Sequence, residues 1–155
     1  MDISLNIKKI TSILNDYLRP FDLTAELSYD FGYYFESNTV TYSLLDIKEA
    51  SDSFLLDAES RFPQIRAPFF IWALHHELGH HETWDELTEE EIAESEDIKK
   101  RCYEENNRLL YYTAPDEYAA TNWAGKYIME HETEIAILWD AIVSIIKKME
   151  GEDNE

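Results

Sequence analysis

Residues 69 to 83 read FFIWALHHELGHHET. From Phe69 to Leu74 the segment is apolar on every side of a helix, so it belongs in a core rather than on a surface. Four of the chain's five histidines then follow within seven residues. Any fold for this chain must carry that imidazole cluster on the continuation of a buried helix. Burying two histidines and a glutamate without partners is costly, and a metal ion removes that cost.

Within the stretch lies HELGH, residues 76 to 80. Positions four apart on a helix share one face, so His76 and His80 can point nitrogens at one ion. Imidazole is a good zinc ligand, and two on a rigid helix are already oriented. Glu77, one residue past the first ligand, can reach a water on the metal. Zinc lowers the pKa of such a water to about 7, and a carboxylate can take its proton. His75 and His81 lie about 100° to either side of the ligand face, which marks them as supporting or surface residues.

The rest of the chain organises around this helix. Ile7, Ile10, Ile13, Leu14 and Leu18 form a helical stripe over Ile3 to Leu18, and Pro20 ends it. The Tyr, Phe, Thr and Val block that follows predicts two or three antiparallel strands within about residues 25–45, with a turn at Ser37–Asn38. Residues 47 to 60 suit a short helix or an ordered loop. Pro63 and Pro68 bracket the start of the histidine helix, which runs to about Thr83. Thr88 with Glu91 is a capping box for a helix near 89 to 110. Thr113, Asp116 and Pro115 start another, ending near Glu130. A last helix near 133 to 149 carries a stripe of Ile135, Leu138, Trp139, Ile142, Ile145, Ile146 and Met149. Residues 150–155 form a frayed, disordered acidic tail. The expected fold class is α+β, one mainly helical domain over residues 1–149 with a small antiparallel sheet.

Composition narrows the function. With 155 residues, 45% hydrophobic and 14% aromatic, the chain is rich enough for one packed core. Cys102 is the single cysteine, so neither an internal disulfide nor a multi-thiolate zinc knuckle is available. The start MDISLNIKKI lacks a signal-peptide core and no apolar run approaches a membrane span, which points to the cytoplasm. The net charge of −20 repels nucleic acid and anionic membrane, and suits a basic protein partner, even as a crude imitation of DNA. Eight of the thirteen residues from Asp85 to Asp97 are acidic, a run that ordinarily marks a solvated face.

A hydrolytic zinc site wants a third protein ligand and an open fourth position. The spacing HExxHxxGxxH is absent, since position 83 is Thr and 86 is Glu. In DEYAATNWAGKY, Glu117, Ala120, Thr121 and Ala124 share one helical face. One carboxylate followed by small residues lets this helix approach another closely and reach a metal. Glu117 equally suits an ordinary acid at a helix N-terminus, and spacing alone leaves both readings open.

HELGH followed by ExxAxxWA resembles the gluzincin metallopeptidases of the ImmA/IrrE type, with matches at His76, Glu77, Gly79, His80, Glu117, Ala120, Trp123 and Ala124. The resemblance spans roughly residues 5 to 130, and the two motifs are its specific part. It implies a minimal zincin-like fold, zinc on His76, His80 and Glu117, and Glu77 as catalytic base. It also implies peptide hydrolysis in a protein substrate, such as a transcriptional repressor of a phage or mobile element. Position 121 departs from it, with Thr where an Asn or Asp usually holds a ligand histidine. The acidic insert from Asp85 to Thr113 and the absence of a following proline depart as well. The alternative reading is a non-catalytic zincin-fold protein that sequesters a basic partner. The electrophilic helper that hydrolysis needs could be Tyr111, Tyr112, Tyr127 or His131. An edge strand near Tyr33 to Glu36 could pair with an extended substrate.

Overall fold

The structure, a computed structural model, describes residues 3–45 and 48–153. The fold is α+β, mostly helical with one three-stranded sheet. Two compact units make it up: one contains the chain up to Leu44 together with His131 onward, the other Leu45–Glu130. Among the described residues no helix is long and apolar enough to cross a membrane.

In the first unit, α1 (Ile3–Leu18) buries Ile10, Leu14 and Leu18 completely, with Asn6 on the same face. Ile7 and Ile13, on the margins of the stripe, are half-buried. Pro20 ends the helix in a single 3-10 turn, closed by Asp22 in the left-handed region at φ 58°. Strands β1 (Thr24–Leu27), β2 (Gly32–Tyr34) and β3 (Thr39–Tyr42) follow. Asn15 Oδ1 accepts from the Ala25 amide at 2.6 Å, which fastens β1 to α1.

The sheet is mixed rather than antiparallel. Its order is β1-β3-β2, with β2 antiparallel and β1 parallel to β3. The β2–β3 hairpin turns through residues 35–38, where Asn38 takes φ 49°. β1 lies on the far side of β3, held by Thr24 N–H to Asn38 O and Ser28 N–H to Tyr42 O. The Thr41 hydroxyl, donating to Asp30 O, pins the return from β1 to β2. Residue alternation reports which face is buried, not which strand is the neighbour. The edge position expected near Tyr33 is occupied by β2.

α7 (Glu132–Asp153) completes this unit and buries Ile135, Leu138, Ile142 and Ile145. It continues four residues past the expected end at 149, through most of the segment expected to fray. Residues 154–155 lie outside the described part.

The second unit holds α2 (Lys48–Arg61), α3 (Phe69–Thr83), α4 (Glu89–Glu105), α5 (Arg108–Tyr111) and α6 (Pro115–Glu130). α3 is its centre. Ile71, Trp72, Leu74 and Leu78 are 1% exposed or less, and each such aliphatic burial contributes about 1.5–3 kcal/mol. The α4 capping box forms as expected, with Thr88 Oγ1 and Glu91 N–H 3.1 Å apart and the reciprocal bond also 3.1 Å. The helix expected to reach 110 breaks at Asn106, which caps it at φ 51°. Asparagine tolerates that conformation at small cost, so Asn106–Asn107 is a break the apolar pattern does not reveal. α6 begins where expected, but by a different cap. The Thr113 hydroxyl donates to Leu110 O, and Ser95 Oγ takes the Asp116 amide at 3.1 Å.

Candidate metal centre

The centre is built where α3 crosses α6. A Cβ placed on Gly79 would stand 2.3 Å from the carbonyl oxygen of Ala120, so only glycine permits this approach. Ala120 and Ala124, both fully buried, keep the α6 face small. The helices are thereby close enough for a carboxylate on one to meet imidazoles on the other.

Glu117, 3% exposed, projects from the first turn of α6. Its Oε2 accepts from Nε2 of His76 and Nε2 of His80, each at 2.8 Å. The two imidazoles stand edge to face, with centroids 4.7 Å apart. The ligand-capable atoms of the three residues all lie within 4.8 Å of one another. The two histidines that helical spacing pairs and the glutamate that the motif resemblance adds are thus brought together in one group that could hold a metal ion.

Around these donors is a second layer. His76 Nδ1 meets Thr121 Oγ1 at 2.9 Å. Position 121, although a threonine, thus supplies an oxygen beside the His76 ring. Phe54 of α2 packs edge-on against the His76 ring at 5.2 Å. Glu117 Oε1 accepts from Tyr111 OH at 2.7 Å and lies 3.3 Å from Lys99 Nζ. Lys99 is anchored on Asp116 Oδ2 at 2.6 Å, and Asp116 Oδ1 accepts the Glu117 amide.

The electrostatics follow from this packing. Burial pushes the Glu117 carboxyl upward, but the neighbouring imidazoles outweigh it and hold the group well below its usual range. Burial pulls His80 down, and its hydrogen bond to Glu117 and that carboxylate's charge raise it on balance. Lys99 is likewise raised, burial being overcome by Glu117 and Asp116. Burial, then the Glu117 charge, raise the Tyr111 phenol and push Tyr112 up to about 12, so both remain protonated.

Glu77 is half-buried on α3, near enough for its charge to act on both His80 and Tyr111. His81 is half-buried. His75 is fully buried rather than at the surface, with Nδ1 2.7 Å from Ile71 O and its ring stacked on Tyr127. Among the four candidate helpers, Tyr111 donates its hydroxyl to Glu117 Oε1. Lys99 and Asp116 escaped sequence reasoning. Asp116 adjoins Glu117, a faint signal, whereas Lys99 lies in the acidic insert with no local pattern to mark it.

Two imidazoles and a carboxylate are a suitable donor set for a divalent ion with three protein ligands. The donors already converge, with Glu117 Oε2 2.8 Å from both imidazole nitrogens, as a single ion held by all three would require. Were Nε2 turned to a metal, His76 would carry its proton on Nδ1 and Thr121 Oγ1 would accept it. Comparison with protein-family models, curated proteins and solved structures finds no match for this chain.

Proposed function

We propose that this chain is a zinc-dependent metallo-endopeptidase of the gluzincin type, acting on a protein substrate. The observation that carries the reading is the convergence of His76, His80 and Glu117, with Glu77 directly beside His76 on α3. A purely structural site has no need of that glutamate. The motif resemblance to ImmA/IrrE-type enzymes agrees with it.

His76, His80 and Glu117 would hold the ion, which supplies Lewis acidity toward a carbonyl and toward water. Glu77 would take a proton from the attacking water and pass it to the departing amide nitrogen. Thr121 would hold the His76 ring, and the α3 core would exclude water from behind the site. A basic, DNA-binding repressor is the substrate class that the charge of −20 would steer toward the protein.

The same charge supports a second reading, an acidic scaffold that sequesters a basic partner without turnover. Co-expression with a basic repressor from the same genome separates the two. Cleavage should occur and should fall about 10²–10⁴-fold in Glu77→Gln, with zinc content unchanged. His80→Ala should lose the zinc itself. Binding without cleavage by the wild-type protein would favour sequestration, and undiminished cleavage by Glu77→Gln would remove this residue from the mechanism.

A further inference from the structure

The two oxygens of Glu117 have separate partners. Oε2 faces both imidazoles at 2.8 Å, whereas Oε1 is turned away from them onto Tyr111 OH at 2.7 Å and Lys99 Nζ at 3.3 Å. We propose that Tyr111 and Lys99 are positioning residues that hold Oε1, so that Glu117 meets a metal through Oε2 alone.

The proposal rests on the metal reading above and extends it to the coordination number. A zinc-bound carboxylate can use one oxygen or two. With two, it fills the position that a hydrolytic site leaves open for water. Here the second oxygen is already committed. Tyr111 donates its hydroxyl to that oxygen at 2.7 Å. Lys99 adds a charge-assisted contact, and it cannot drift, because Asp116 Oδ2 grips it at 2.6 Å.

Asp116 is fixed in turn, its amide on Ser95 Oγ at 3.1 Å and its Oδ1 on the Glu117 amide at 2.8 Å. Tyr111 is fixed from the other side. Arg61, paired with Asp57 at 2.7 Å, donates to the Tyr112 carbonyl at 2.9 Å and so ties down the end of α5. The arrangement assigns Tyr111 to ligand geometry rather than to the electrophilic assistance that its place beside the donors would also suit.

The two roles separate in the visible spectrum of the cobalt(II)-substituted protein, where four-coordinate cobalt absorbs strongly and five-coordinate cobalt weakly. Wild type should take up one cobalt and give intense bands. Tyr111→Phe frees Oε1 to reach the ion, so its bands should lose intensity while cobalt stoichiometry holds. Tyr112→Phe, which alters a neighbouring phenol, should keep the wild-type spectrum, and far-UV circular dichroism should show all three proteins equally folded. An unchanged spectrum in Tyr111→Phe, or weak bands already in wild type, would overturn the positioning role and leave the metal site intact. Failure of wild type to bind cobalt would instead overturn the metal reading and this inference with it.

Discussion

At the scale of residues, Thr121 matters most for its size. An Asn or Asp reaches further from the backbone than a threonine hydroxyl, yet Thr121 Oγ1 stands 2.9 Å from His76 Nδ1, because the Gly79–Ala120 contact has already brought the helices together. Loss of an outer partner of this kind typically costs about 10- to 100-fold in metal affinity. Thr121→Val should show that loss against a competing chelator, and Thr121→Ser should recover it. Equal affinity in Val and wild type would mean the hydroxyl does not orient the ring. Helical spacing places His76 and His80 on one face of α3, whereas Glu117 sits on another helix and is singled out by the motif resemblance alone. The contact that Thr121 makes is not legible in the sequence, because the reach of a side chain depends on the distance between helices, which no spacing encodes.

The same residues give a pH dependence. Glu117 is held below its ordinary 4.5, so the stability it lends is present above that value and is lost as pH falls through its folded pKa. His80 is raised above 6.5, so its contribution is full below that value and is lost as pH rises through its folded pKa. The metal-free protein should therefore be most stable between about pH 4.5 and 6.5, as far as this cluster decides. Zinc bound as proposed would displace the His80 proton, so affinity should climb with pH across the raised pKa. Melting curves of chelator-treated protein against pH, beside zinc titrations, check both slopes. Zinc affinity independent of pH through this range would exclude His80 as a ligand.

At the scale of elements, caps and turn residues located α1, α3, α4 and α6, because those signals are local. The pairing of β1 with β3 and the Asn106 break were less legible. The first is settled by a neighbour distant in sequence, and the second by a residue equally at home in a loop. The α3–α6 crossing gives a test in which two effects oppose. Alanine at an ordinary helical glycine gains about 1 kcal/mol. At Gly79 the added methyl meets a backbone carbonyl that cannot rotate away, and overpacking costs about 1–3 kcal/mol or more. Gly79→Ala should lower the melting temperature and weaken metal binding together. A more stable Gly79→Ala protein would show that the helices do not approach so closely.

At the scale of the whole molecule, the charge of −20 sets how the protein meets others. Thr88 to Asp97 opens α4 with acidic residues that are largely exposed, so their charge faces outward rather than into the core. Association with a basic protein should weaken steeply between low and high salt, as screening shortens the field to about 8 Å at physiological ionic strength. Pull-down across a salt series reads this directly, and tight binding to duplex DNA would contradict it. The crossing of α3 and α6 has a consequence at this scale too. Neither helix carries the full donor set, and 36 residues of chain separate His80 from Glu117. An ion that gripped both helices would recognise the docked pair and not the unfolded chain, and metal availability and folding of the helical unit would become one linked equilibrium.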